Sequence, residues 1–165
     1  MKLTVKKDSG SFNSIASELK KLRQGYVKAG VLASDKERED GEDSNVDLAI
    51  IHEFGAPAAN IPERSFVRST FARNRDKYSA ALKKLAENIF THPRSAEDIL
   101  GLVGAKMAAD MKQTIADGIE PPNSPAVAAR KAAKGRGPGA PKPLVDTGQL
   151  LNSISWEVST SKKKG

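Results

Sequence analysis

The sequence predicts an α+β fold, a small mixed domain in which two long helices pack on a short, mainly antiparallel sheet. Two stretches, about 63–90 and 95–118, repeat apolar residues every three or four positions, as amphipathic helices do. Two shorter runs, near 26–33 and 154–160, are rich in β-branched and aromatic residues without helical spacing. The stretch 119–143 holds most of the prolines and predicts a long Pro/Gly-rich basic arm outside these elements.

The length of 165 residues suits a single domain, 1–165, with one modest core. We expect that core over about 11–118 and 144–160, with the arm at 119–143 and a frayed tail at 161–165. The net charge of +7 is the balance of 27 basic and 20 interspersed acidic residues, so it does not by itself indicate nucleic-acid binding.

The composition also excludes several classes of site. Cysteine is absent, which removes disulfides, thiolate metal ligands and cysteine nucleophiles. The N-terminal stretch MKLTVKKDSGSF lacks the apolar segment of a signal peptide, and no run reaches the roughly 18 apolar residues that span a bilayer. Walker, Rossmann and nucleophile-elbow spacings are missing. We therefore expect no membrane partner, no cofactor and no export by that route.

The N-terminal part predicts one helix, one strand and one loop. The helix covers about 11–24, with Ser11 as its cap and Gly25 at its end. The strand near 26–33 follows it. The charged segment 34–45 has no apolar anchor, and we expect it to form a mobile loop or a hairpin tip.

The segment NVDLAIIHEF predicts a short helix because its apolar residues are compact and its flanks carry helix signals. Asn45 or Asp47 can cap its start. Gly55 and Pro57 end it, since glycine allows the chain to leave a helix and proline cannot continue one.

The two long helices are predicted to form an antiparallel pair that packs on the apolar face of the sheet. Pro62 lies where the chain enters the helix 63–90, and Ser95 is a good cap for the helix 95–118. Only a short break around Pro93 separates them, as in helical hairpins.

The C-terminal part predicts a short helix after Pro125, a helical turn capped by Asp146 or Thr147, and a second strand. We expect both strands to share one sheet. Two short strands are marginal alone, so a hairpin from 34–45 or a strand of a neighbouring subunit should complete it. Trp156 should be largely buried in the core or at an interface.

His52 and Glu53 are the first candidates for chemistry. A zinc-protease helix needs the pattern H-E-x-x-H, but position 56 is alanine. The other histidine, His92, lies in the predicted break between the long helices. The structural interpretation is that this pair closes a helix, with Phe54 anchoring the turn.

The tripeptide D-T-G at Asp146 is the second candidate, because aspartic proteases use such a loop. Those enzymes pair two aspartates that share one proton, and a homodimer can supply the second copy. Only 17 residues follow Gly148, however, which leaves little room for the rest of a protease fold. The sequence therefore favours Asp146 or Thr147 as a helix cap over a catalytic role.

The basic run RKAAKGRGPGAPK has three interpretations: it contacts nucleic acid, it reaches an acidic protein partner, or it is a solvated loop. Flexible basic side chains beside glycine suit all three. The residues that form this possible partner-contact arm are Arg130, Lys131, Lys134, Arg136 and Lys142.

Three stretches in this order carry a resemblance: IIHEFGAP, then IPERSFVRSTF, then PPNSP followed by PLVDTGQLLNSISWEV. Together they resemble the tail-completion, or neck, proteins of long-tailed bacteriophages, also labelled minor tail components or virion morphogenesis proteins. The resemblance covers most of the chain, from about residue 27 to 158. Ser65 stands where a proline is frequent in that family. The matching residues are Phe54, Gly55, Pro62, Arg64, Phe66, Asp146, Thr147, Gly148, Leu150, Ser153 and Ile154.

The resemblance implies a structural virion protein without catalytic residues, metal or cofactor. Its members form rings, commonly homohexamers, where the head connector meets the tail tube. The implied partners are further copies of the chain, head-completion or connector proteins, and tail terminator or tail tube proteins, with genomic DNA in the lumen. The implied location is the virion neck, after assembly in the host bacterial cytoplasm. A basic nucleic-acid-binding accessory protein remains the alternative function.

Overall fold

The structure is a computed structural model and describes residues 9–32, 44–133, 144 and 148–161. Those residues form six helices and a two-stranded antiparallel sheet, which confirms the predicted α+β class. The elements are α1 (Ser9–Gln24), β1 (Tyr26–Val31), α2 (Asn45–Phe54), α3 (Val67–Glu87), α4 (Ala96–Asp117), α5 (Pro125–Ala133), α6 (Gln149–Asn152) and β2 (Ile154–Ser159), with 3₁₀ turns at Pro57–Ala59 and Asn88–Phe90.

The sheet joins the two predicted strands, as expected from the sequence. β1 and β2 run antiparallel, with Val27 opposite Val158 and Val31 opposite Ile154. α4 packs against both strands, and α1 and α3 also pack against α4. The largest fully buried side chains of this core are Phe66, Ile89, Ile99, Met111, Ile115 and Ile154.

The two long helices form the predicted antiparallel pair, but only α4 lies on the sheet. Thr70 of α3 contacts Thr114 of α4 through their hydroxyls at 2.6 Å, and the Tyr78 hydroxyl donates to Asp110 at 3.1 Å. The prediction that α3 also packs on the strands is wrong, because α3 packs mainly against α4. Two strands about 5 Å apart offer room for one helix of about 10 Å diameter.

Three predicted helix starts need correction. α1 begins at Ser9, so Ser11 lies inside the helix and not at its cap. α2 is capped by Ser44, which forms a capping box with Asp47, so Asn45 is not the cap. α3 begins at Val67, four residues later than predicted, and residues 62–65 belong to no helix or strand. The predicted cap of α4 is confirmed, since Ser95 forms a capping box with Asp98.

The predicted burial of Trp156 is wrong for this subunit, because its side chain is 44% exposed. The indole lies over Gly104 of α4, where an added Cβ would be 2.6 Å from the indole Cδ1. Among the described residues no third strand lies beside β2 to cover the rest of the ring.

The short helix predicted after Pro125 is confirmed as α5. The N-cap position of α6 is Gly148, in a left-handed conformation with φ 80°, and not Asp146 or Thr147 as predicted. Asp146 and Thr147 themselves lie outside the described residues, as do most of the predicted loop 34–45 and the arm beyond Ala133.

Candidate functional site

The carboxylate of Glu53, at the end of α2, caps the start of α3. Glu53 is 6% exposed. Its oxygens accept hydrogen bonds from the Ser65 hydroxyl at 2.7 Å, the Val67 and Arg68 amides at 2.9 Å each, and the Arg68 Nε at 3.0 Å. The Phe66 N-cap position of α3 provides no capping side chain. Glu53 therefore supplies both the missing acceptors and a negative charge at the positive end of the helix dipole.

The turn after α2 brings these groups together. Gly55 has φ 74°, and a Cβ added there would lie 2.8 Å from the Glu63 amide nitrogen, so the turn requires glycine. An isolated bridge between Ala56 and Ile61 closes the loop, and the Arg64 amide donates to the His52 carbonyl at 2.7 Å. The chain thus returns beside the end of α2 before α3 begins.

Arg68 also stabilises the contact between the end of α2 and the start of α3, on the side that faces solvent. Its Nη2 donates to the Glu53 carbonyl at 2.8 Å and to the Glu63 carboxylate at 2.7 Å. Its guanidinium also lies 4.5 Å from the centre of the Phe54 ring, in a cation–π arrangement. Phe54 therefore contacts the turn through Arg68, while its ring stays largely exposed and lies outside the buried core cluster.

The electrostatics of Glu53 reflect this network. Burial by itself raises the pKa of the Glu53 carboxyl, but the hydrogen bonds from Ser65, Val67 and Arg68 outweigh burial and hold the pKa below its ordinary value. The group is therefore a carboxylate whose lone pairs are engaged within the subunit. That arrangement suits a structural acceptor better than a general base.

Arg64 connects the stretch IPERSFVRSTF to the stretch PPNSP. Its Nε donates to the Pro121 carbonyl at 2.7 Å and its Nη2 to the Pro122 carbonyl at 3.0 Å. Arg64 is buried, and burial lowers the pKa of its guanidinium. Within the described part of the chain no carboxylate forms an ion pair with it. Its charge is held instead by two backbone carbonyl dipoles.

Three further residues of the resemblance lie in the buried core. Phe66, Leu150 and Ile154 belong to the same buried cluster. The Ser153 hydroxyl donates to the Leu150 carbonyl at 2.9 Å, which closes the turn of α6 before β2 begins. The described residues of the C-terminal motif are thus packing and turn residues.

All three motifs line one pocket of about 1000 Å³. Its walls are mainly apolar, with Arg64 as a charged member. Representative lining residues from the three motifs are Phe54, Pro62, Arg64, Pro121, Gly148 and Leu150.

The structure does not bring together the two histidines. His52 lines this pocket, whereas His92 follows the far end of α3, next to the Thr91 hydroxyl at 3.0 Å from its Nδ1. Across the described residues no three His, Asp or Glu side chains are grouped to hold a metal ion. Arg130 and Lys131 lie in α5, and the rest of the basic arm, Lys134 to Lys142, lies outside the described residues.

Sequence reasoning missed the roles of Glu53 and Arg68. Glu53 was interpreted as a helix-closing residue, but the groups that donate hydrogen bonds to its carboxylate lie 12 to 15 positions further along the chain. The local sequence is misleading here, because Ser65 is a typical capping residue beside Phe66, but its hydroxyl donates to Glu53 and no side chain at the N-cap position caps α3.

Comparison of the chain with protein families, with curated proteins and with solved structures finds no match. In the described ranges, each helix is too short or too polar to cross a membrane.

Proposed function

We propose that this protein is a structural subunit of the head-tail junction of a long-tailed bacteriophage. It assembles with copies of itself into a ring of six subunits between the head connector and the tail tube. In this proposal the chain catalyses no reaction, and its contacts are with head-completion or connector proteins on one side and tail proteins on the other.

One observation carries the proposal: the three stretches behind the resemblance are adjacent in space and joined by two buried charged side chains. Glu53 of the first stretch holds the start of α3 in the second. Arg64 of the second stretch holds the prolines of the third. Polar groups that serve to join segments of one chain support an architectural role for the motifs.

The charge distribution on α3 bears on the alternative, a nucleic-acid-binding accessory protein. α3 carries six basic side chains, but four of them have partners in the same subunit. Arg68 binds Glu53 and Glu63, and Arg73 binds the Thr114 hydroxyl. Lys77 donates to the neighbouring Asn74, and Lys83 pairs with Glu87. Two of the six cations are thus paired with carboxylates and two more donate to neutral groups, which leaves fewer side chains free to bind phosphates and supports the structural role.

Native mass spectrometry of the purified chain, with and without duplex DNA, tests the proposal. We expect one closed oligomer, with six copies as the leading stoichiometry, whose mass does not depend on DNA. A monomer that gains mass only when DNA is added would contradict the proposal and favour the accessory protein.

A further inference from the structure

The pocket beside Arg64 has the size and the apolar wall of a site for a small molecule. Its volume of about 1000 Å³ lies at the upper end of the range for ligand pockets, about 300–1000 Å³. Its apolar wall comes from α2, the loop before α3, the segment that leads into α5, and α6. Members of this wall are Leu48, Ile61, Pro62, Pro121, Val127 and Leu150.

Arg64 places a permanent positive charge in this wall. The residue is only 6% exposed, and an arginine side chain stays protonated in proteins. Its Nε and Nη2 donate to the carbonyls of Pro121 and Pro122 at 2.7 and 3.0 Å. Both acceptors are neutral, so these bonds orient the guanidinium without neutralising its charge.

The proline carbonyls use only one edge of the guanidinium, the edge formed by Nε and Nη2. The remaining edge consists of Nη1 and the outer N–H of Nη2, and the described residues supply no hydrogen-bond acceptor for Nη1. Two parallel N–H donors of this kind match the two oxygens of a carboxylate in a bidentate contact. The remaining edge of Arg64 therefore has the geometry that binds a carboxylate.

The carboxylate that the subunit itself places in the pocket wall is engaged elsewhere. Glu63 lines the pocket, but its side chain is 56% exposed and accepts from the Arg68 Nη2 at 2.7 Å. In the described part of the molecule, Arg64 has no ion pair. A buried cation without a counter-charge is unfavourable, and an anionic ligand that pairs with it relieves this cost.

We propose that this pocket binds a small apolar carboxylate of the class of medium-chain fatty acids. The carboxylate binds the remaining edge of Arg64, and the alkyl chain lies against the apolar wall. A free alkyl chain suits this wall better than a peptide, because a peptide brings amide groups that need hydrogen-bond partners. The inference goes beyond the proposed ring function and does not depend on it, since all the lining residues belong to one subunit.

Isothermal titration calorimetry of the full chain with octanoate and with octanol tests the class of ligand. We expect one octanoate per chain. Octanol has the same alkyl chain without the charge and should bind at least about tenfold more weakly. Absence of octanoate binding, or equal affinities for the two compounds, would overturn the proposal. Tighter binding of acetyl-trileucine with a free carboxylate than of octanoate would overturn it in favour of a peptide ligand.

Two variants of α5 locate the binding site. Val127→Glu adds a carboxylate to the pocket wall, where it repels the ligand and competes for Arg64. Ala129→Glu is the matched control, because it adds the same charge at an exposed position of the same helix outside the pocket. Affinity for octanoate should fall at least about tenfold in the Val127 variant only. Equal affinities in the two variants would overturn the assignment of the site.

A second pair of variants tests the role of the guanidinium. Arg64→Lys keeps the charge but loses the paired donors, so it should also weaken octanoate binding at least about tenfold. Arg73→Lys makes the same change on α3 outside the pocket and should bind octanoate like the parent chain. Unchanged octanoate affinity in a folded Arg64→Lys chain would overturn the bidentate contact. The Val127 and Ala129 variants leave Arg64 in place, so they decide the assignment even where Arg64→Lys unfolds.

Discussion

Replacing Glu53 by glutamine should destabilise the subunit far more than the same change at Glu63. Both carboxylates bind Arg68, but only Glu53 also accepts the Val67 and Arg68 amides and the Ser65 hydroxyl. Glu53→Gln keeps the shape of the side chain and replaces one acceptor oxygen with an NH₂ group. The NH₂ group then lies against N–H or O–H donors that no longer have an acceptor.

The expected magnitude follows from two contributions. A buried amide without an acceptor costs about 1–3 kcal/mol. Loss of the negative charge at the start of α3 costs about 0.5–1 kcal/mol more. We therefore expect Glu53→Gln to lower the free energy of unfolding by about 1.5–4 kcal/mol. Glu63→Gln removes one exposed ion pair and should cost less than about 1 kcal/mol.

Urea unfolding followed by far-UV circular dichroism measures both changes. The dependence on pH gives a second readout, because the folded state holds the pKa of Glu53 below its ordinary value of 4.5. The stabilisation from Glu53 is present above that value and is lost as the pH falls through the lowered folded pKa. The glutamine variant should lack this part of the acid sensitivity. Equal destabilisation by the two glutamine variants would refute the capping role of Glu53.

Four further changes test other parts of the structure. Arg64→Lys keeps the charge but loses the two-pronged contact with the proline carbonyls, so urea unfolding should show a loss of about 1–3 kcal/mol. Gly104→Ala forces a Cβ to within 2.6 Å of Trp156 and should cost about 1–3 kcal/mol, with altered tryptophan fluorescence. Gly101→Ala in the same helix meets no atom within 4 Å and should stabilise by about 0.5–1 kcal/mol. Burial and a hydrogen bond to the Asp110 carboxylate raise the pKa of Tyr78 to about 12. The free energy of unfolding should therefore fall as the pH rises from about 10 through 12. Tyr78→Phe should reduce this fall, as measured by alkaline denaturation.

The sequence predicted the elements whose signals are local. The apolar spacing of the long helices, the capping box begun by Ser95 and the two β-rich runs each identify an element from neighbouring residues alone. The start of α3 was missed because its capping group, Glu53, is 14 residues from Val67 in the chain. A capping acceptor at that distance has no sequence signature.

The two wrong packing predictions, for Trp156 and for α3, have a related cause. The exposure of Trp156 depends on how many strands lie beside β2, and the position of α3 depends on the width of the sheet. Neither follows from the periodicity of one segment. The role of Gly55 at the end of α2 was predicted from the residues themselves and is confirmed by its φ of 74°. Arg64 was identified only through the resemblance, and its role follows from its contacts with the prolines before α5.

The proposed function requires that this chain build a closed ring. Electron microscopy of the purified protein tests it most directly, because class averages show both the number of subunits and whether the assembly closes. We predict rings of uniform diameter with a central channel, and with six-fold symmetry as the leading expectation. Monomers, two-fold dimers or open filaments across the same concentration range would contradict the proposed function.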